Sequence, residues 1–520
     1  MYTQLKALIV VMVFTLAVFA FAKPLLIRFM RAEDFERRRN TWLALTLAAF
    51  LIPNYWVYAL IAIPIIGYAV SKERNPAALY LFLLLALPPL SLEIPTFGVI
   101  NRLFPLDHYR MLSLALILPA ALRLRRPASR PVAGAARAVA PAMGWLLTDV
   151  LLLAFAALQV GLLMPYESLT AVGRRIVILI LDVLLPYYVI SRSCRSREDI
   201  VEAMASFALA AAVLAPMAVF EFFKYWLLFA GLEDTWGSIP LHGYLTRGGH
   251  LRATVTMGHS IMLGYAMVIA FGFWLYLQGR VDKRGWRWLG MLAIVAGIVT
   301  AMSRGPWVGG LAVLAVFLLT GPNAAGRSVR GLAFIGALAG LVLVSPWGAQ
   351  IVDYLPFVGT LDEETVSYRQ HVAASSWVLI QQNPLFGSRY YASQMEDLRT
   401  GEGIIDILNV YATTALAYGL TGLALFAGFF VVAGLRCFAA VRRMAKYDPD
   451  FSMMGSGLLA SLVGALLIIA TVSNYLIVPY LYLALAGLAV AYAQLARQGA
   501  TAAALAPVPM PVPNMGMRFR

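Results

Sequence analysis

Residues 259–278, HSIMLGYAMVIAFGFWLYLQ, run for twenty positions without a charged side chain. A helix of that length spans about 30 Å, the hydrocarbon thickness of a bilayer. In lipid the backbone must satisfy its own hydrogen bonds, so the stretch reads as a transmembrane helix. Working outward, apolar segments recur near 5–27, 41–53, 55–71, 77–92, 109–122, 142–164, 176–193, 203–230, 288–303, 306–321, 331–346, 408–435, 454–473 and 475–496. The pair 41–53 and 55–71 breaks at Pro53-Asn54 between two basic loops, as a short hairpin does. Residues 8–23 have the character of a signal-peptide core, but only Lys6 precedes them and no small-residue cleavage site follows, which predicts a retained first helix. The expected fold is all-α: a polytopic transmembrane bundle of about 13 to 15 spans. Composition agrees, with 61% hydrophobic and 13% charged residues, where soluble domains carry about 25% charged.

The net charge of +15 is concentrated in short loops. Arg37–Arg39, Lys72 and Arg74, Arg123 to Arg137, Arg192 to Arg197, Arg280 to Arg287, Arg327 and Arg330, and Arg436 to Lys446 form separate basic clusters. Such clustering marks cytoplasmic loops. It leaves no folded basic face for nucleic acid. Cys194 and Cys437 abut these clusters, so a structural disulfide is not expected, and no Cys/His spacing suggests zinc. Alternation then places 93–108, 165–175, 231–258, the turn Ser303–Pro306 and the long interval 347–407 on the outer side. The tail beyond Arg497, ending APVPMPVPNMGMRFR, reads as disordered.

The long outer interval contains Tyr368–Gly387, YRQHVAASSWVLIQQNPLFG. Residues 364–382 read as a helix, opened by acids and closed by Asn383-Pro384. Tyr368 and His371 can share a face, whereas Arg369 and His371 lie roughly 200° apart around a helix. An amphipathic helix lying on the membrane surface fits the same pattern. Arg252 and Arg304 also stand at outer helix ends, where the positive-inside bias makes arginine unusual. Together Arg252, Arg304 and Arg369 could hold a pyrophosphate, since guanidinium groups pair bidentately with phosphate oxygens. Taken singly, each could snorkel to lipid head groups or pair with an acid. His108, His242, His250, His259 and His371 are expected as outer polar residues, with His259 or Ser260 capping a helix. Within apolar runs, Glu221 is expected to pair with Lys224. Asp149 and Asp182 pair with arginines of other helices, hydrogen-bond while protonated, or serve a proton relay.

The order of these pieces resembles a known family. Arg252-Ala-Thr-Val-Thr-Met-Gly-His-Ser, Ser303-Arg304-Gly305, Arg369 with Trp377 and Asn383-Pro-Leu-Phe-Gly387, then Asn409 with Gly419 and Gly422, are similar to the O-antigen ligases and polysaccharide polymerases of bacterial inner membranes. The resemblance covers roughly 250–430. It implies metal-independent, inverting glycosyl transfer from an undecaprenyl-pyrophosphate-linked oligosaccharide, without cofactor, on the periplasmic face. It also implies Arg252, Arg369 and Arg304 as pyrophosphate ligands, with Tyr368 and Asn409 beside them. One departure stands out: the ligases' histidine before Asn409 is Leu408 here. The proton-accepting role would then move to His371 or Asp406, or be dispensed with, Asp406 being equally readable as a helix cap.

The expected organisation is 1–240 as N-terminal transmembrane helices, 241–435 as a catalytic core including the loop 347–407, 436–496 as C-terminal transmembrane helices and 497–520 as tail. The leading functional expectation is a polymerase joining lipid-linked repeat units for exopolysaccharide, capsule or O-antigen, among membrane lipids and with flippase and chain-length or export proteins as partners. Transfer to lipid A core, lipid-linked sugar transport and a non-catalytic assembly role are the alternatives.

Overall fold

The computed structural model describes residues 2–95, 102–125, 146–344, 363–399 and 405–505. It is an all-α bundle of a multi-pass membrane protein, with two short antiparallel strand pairs, Leu92–Pro95 with Arg102–Leu106 and Thr246–Arg247 with His250–Leu251. Among the described residues, eight helices are long and apolar enough to cross a membrane, and Leu147–Leu163 and Arg304–Leu319 are shorter apolar helices. Not every expected apolar run forms such a helix among the described residues, for two reasons. Some apolar runs share a helix with charged residues, as in Ala32–Leu51. Others are cut short, as in Pro76–Leu83. The hairpin at Pro53-Asn54 forms as expected, with Asn54 capping Tyr55–Lys72.

Ser260–Leu277, the apolar stretch quoted first, lies at the centre and is buried almost throughout. It packs against Arg197–Lys224, Arg284–Thr300, Arg304–Leu319 and Pro449–Ile468. Small residues set these contacts. A Cβ at Gly272 would lie 2.2 Å from Ser461 Oγ, and one at Gly264 would lie 2.7 Å from Pro306 Cβ. Close approach is how helices gain packing energy where no hydrophobic force separates them from lipid.

Charges within the bundle are paired. Arg38, 1% exposed, meets Glu73 at 2.8 Å and Glu202 at 2.7 Å and donates to Ser206 at 2.8 Å. Asp34 pairs with Arg37, so the three carboxylates Asp34, Glu73 and Glu202 converge on two guanidinium groups. Asp182 pairs with Arg110 at 2.8 Å, and Asp149 with Arg192. Of the readings open for these aspartates, pairing with arginines of other helices is the one observed. Asp149 also accepts from Leu146 N at 2.9 Å, at the start of Leu147–Leu163 rather than inside it.

Cys194 and Cys437 are free and buried. The last helix runs Val478–Leu505, past Arg497 where a disordered tail was expected. Residues 506–520, Arg126, Arg130 and Arg137 of one basic cluster, and 347–362 and 400–404 of the long loop lie outside the described residues.

Candidate functional site

One end of the bundle gathers the segments that carry the predicted cations. Its floor is a loop organised by two buried carboxylates. Glu221, fully buried, accepts from the backbone N–H groups of Leu228, Thr254 and Val255, each at 2.9 Å. The expected Glu221–Lys224 pair is therefore corrected: Lys224 is exposed, and the chain turns back over Glu221 after the left-handed Tyr225. Glu233 accepts from Leu241 N, His242 N and His242 Nδ1, while His242 Nε2 meets Val255 O at 2.9 Å. His242 and His108 are buried, not outer polar residues as expected; His108 Nε2 lies 2.7 Å from Leu83 O. His250 stacks on Phe222. The imidazoles of His108 and His242 answer backbone or carboxylate groups of other segments, which periodicity does not reveal.

The loop is tied to the Arg304 turn. Ala253 N donates to Thr300 O at 3.0 Å and Arg247 Nη1 to Met302 O at 2.7 Å. Arg304 begins Arg304–Leu319. Gly305 sits so close to Thr471 that a Cβ there would lie 2.5 Å from its Oγ1. His259 caps Ser260–Leu277, its Nδ1 accepting from Ile261 N at 3.2 Å. Its pKa is pushed down to about 4, first by burial and then by the Arg252 charge, so Arg252 bears on this cap.

Glu363–Gln382 is the predicted loop helix. Its end is locked rather than merely terminated. The turn Asn383–Gly387 enters a break in Val410–Tyr447 at Gly419, whose φ 69, ψ −174 lies in a region open essentially only to glycine. Leu420 N donates to Pro384 O at 2.7 Å and Ser388 N to Leu416 O at 2.8 Å. A Cβ at Gly419 would lie 2.2 Å from Leu385 O, and one at Gly387 (φ +68) 2.4 Å from Leu416 O. This mutual insertion explains why Asn383-Pro-Leu-Phe-Gly and Gly419 occur together.

The loop helix, residues 406–412 and Ala470–Thr471 enclose a cavity of about 380 Å³. Tyr368, Arg369, Asp406, Leu408 and Asn409 line it; His371 lies outside that wall as an exposed side chain. So Tyr368 shares the cavity with Arg369, not with His371. Tyr368 Oη donates to Leu398 O at 3.2 Å. Asp406 accepts from Ser473 Oγ. It is not a helix cap; Asn409 is, accepting from Tyr411 N at 2.9 Å and Ala412 N at 3.1 Å. Because the helix begins at Val410 and residues 405–409 are not helical, Asp406 and Asn409, three positions apart, do not share a helical face.

Arg369 is held below the ordinary guanidinium range, first by the protein around it, then by the Arg247 charge, with Arg304 adding to this and Asp406 opposing it. Arg247, Arg304 and Arg369 thus form one field of positive charge beside a carboxylate. Arg247 was not singled out in the sequence, although it precedes a Gly-Gly turn, a hairpin signal, in the loop that carries Arg252. Ser473 had no sequence signal. Such a site suits an anion bearing several oxygens.

Residues 289–427 match the family model described as O-antigen ligase. The match includes Arg304, Arg369, Asp406 and Asn409 and begins after Arg247 and Arg252. No curated protein matches the chain.

Proposed function

We propose that this protein is a polymerase of the O-antigen ligase type. It joins undecaprenyl-pyrophosphate-linked oligosaccharide repeat units at the periplasmic face of a bacterial inner membrane, within the core spanning 241–435. The observation that carries this reading is the cavity lined by Arg369 and Asp406, with Arg247 bound to Met302 O next to Arg304, in or beside the matched segment. A hydroxyl of the acceptor unit attacks the anomeric carbon from the face opposite the pyrophosphate. The carbon–oxygen bond breaks and its electron pair leaves with the lipid pyrophosphate. The arginines stabilise the charge growing on that leaving group more than the ground state, which lowers the barrier. Arg252 supports the set through the Glu221-anchored loop. Asp406, held by Ser473, takes the hydroxyl proton in place of the histidine that Leu408 replaces. Tyr368 and the Asn409 cap shape the wall, and His371 stands outside the reacting centre. The reaction so written calls for no metal.

Transfer to lipid A core is the second reading, favoured by the description of the matched family and opposed by Leu408. Purified protein given only lipid-linked repeat units is expected to build longer lipid-linked chains at an undiminished rate with chelator present. Absence of elongation, with transfer to lipid A core instead, would reverse the choice. Leu408→His is expected to leave elongation unchanged if Asp406 is the base; a rise in rate would return that role to position 408. Arg247→Ala is expected to cost roughly tenfold or more in rate, less than a donor aimed only at the leaving group because its Nη1 is already held by Met302 O. Unchanged turnover in that variant removes Arg247 from the site.

Glu221→Gln tests the loop beneath. It sets an amide N–H against one or more of three buried N–H groups, each worth about 1–3 kcal/mol when left unsatisfied. A lower unfolding temperature and weaker transfer are expected together. Loss of one without the other would show that the loop does not position the arginines.

A further inference from the structure

A second cavity of about 560 Å³ lies beside the arginine site, within the range of small-ligand pockets, about 300–1,000 Å³. It opens between Leu147–Leu163, Leu169–Leu179, Val410–Tyr447 and Val478–Leu505. Tyr391, from the segment that follows the Asn383–Gly387 turn, forms part of its wall. We propose that this cavity is a saccharide subsite, holding sugar units of the glycan next to the bond being made; it rests on the glycosyl-transfer reading above.

Three observations point to sugar. The charged residues of its wall are Asp107, Arg110, Arg175 and Asp182, two of each sign. Arg110 is engaged by Asp182 at 2.8 Å, and Arg175 Nη2 donates to Gln159 Oε1 at 2.6 Å. A wall so balanced gives a phosphate no net attraction, unlike the Arg247–Arg304–Arg369 field. The wall is also mixed, with hydroxyl, amide and guanidinium groups set among Leu and Phe side chains. Tyr418 Oη donates to Gln159 Oε1 at 3.2 Å, and Tyr482 Oη to Asn474 Oδ1 at 2.9 Å. Several tyrosine rings together with amide and guanidinium edges match a ligand with apolar C–H faces and hydroxyl rims, which is what a pyranose offers.

The third observation is position. Asn474 and Tyr475 line this cavity; Thr471, two residues before Ser473, lines the arginine cavity; and Ser473 binds Asp406 between them. Thr413 faces this cavity while Ala412 faces the other. The two cavities therefore share a wall at the proposed base.

The test uses the full-length protein in nanodiscs. Its probe is the repeat oligosaccharide released by mild acid from the cell's own lipid-linked pool, free of lipid and phosphate. Wild type is expected to bind it. Gln159→Leu and Asn474→Leu are expected to weaken that binding about tenfold, as the loss of a hydrogen bond to a buried polar partner does. They should also raise KM for lipid-linked units by a similar factor, leave kcat within about twofold and shorten the products. Gln159→Asn should recover part of the binding, which a fold defect would not allow. Oligosaccharide binding and KM unchanged in both leucine variants overturn the subsite while leaving transfer intact. Labelling of this cavity by a photoreactive polyprenyl phosphate without sugar overturns it in favour of a lipid site. Oligosaccharide binding that depends on Gln159, in a protein that transfers nothing, upholds the subsite and removes the transferase reading instead.

Discussion

Arg369→Ala is expected to reduce glycan transfer by about 10²–10³-fold, the cost of removing one preorganised charge-stabilising group from a site where charge develops. The side chain keeps an exposed face on its helix, so its loss strands no buried partner and should leave expression and thermal stability near wild type. The effect should fall on kcat, because the charge it answers grows as the sugar–phosphate bond breaks. Arg369→Lys should recover only part of the rate, since an ammonium cannot grip two phosphate oxygens in parallel. Steady-state rates with lipid-linked repeat units, beside an unfolding curve, decide it. Full activity in the alanine variant would take Arg369 out of the site.

Gly419→Ala is expected to have the larger structural effect. The backbone region alone costs about 1–3 kcal/mol for a residue with a Cβ. The added carbon would also lie 2.2 Å from Leu385 O and 2.4 Å from Phe386 N, and backbone atoms cannot rotate away. The Asn383–Gly387 turn must then leave the break, taking with it the register of Glu363–Gln382 and so of Arg369. The expected readout is faster tryptic cleavage at Arg389 and Arg399 together with loss of transfer. Gly428→Ala serves as the control. It lies on the same helix, where a Cβ would meet only Leu151 Cδ1 at 4.0 Å, and helix propensity alone favours alanine by about 1 kcal/mol. Equal protease resistance in the two variants would show that the turn does not depend on Gly419.

Much of the fold was legible because its determinants are local. Twenty uncharged residues in a row specify a helix in lipid regardless of what packs on them. The motif Asn383-Pro-Leu-Phe-Gly announced a stop, and the span 363–382 begins within one residue of its expected start. The number of spans was less legible. Whether an apolar run crosses, stops after two turns or shares a helix with arginines depends on neighbours elsewhere in the chain. The candidate site divides the same way. Arg304, Arg369 and Asp406 stood out for their residue type and place in the topology. Arg247 did not, because its importance comes from its hydrogen bond to Met302 O, 55 residues away in sequence. Asp406 was open to reading as a cap until the structure gave that duty to Asn409 and joined Asp406 to Ser473.

Composition, apolar run length and charge placement were enough to establish a multi-pass helical membrane protein with arginines in unusual positions at helix ends, since each depends on residues near one another in the chain. Only the tertiary structure decided which cations share a field, how Glu221 and Glu233 hold the loop beneath them, and that one helix breaks at Gly419 to receive the end of another. These are contacts between segments separated by tens to hundreds of residues. They form when loop closure and packing bring the segments together, and no local pattern in the chain records them.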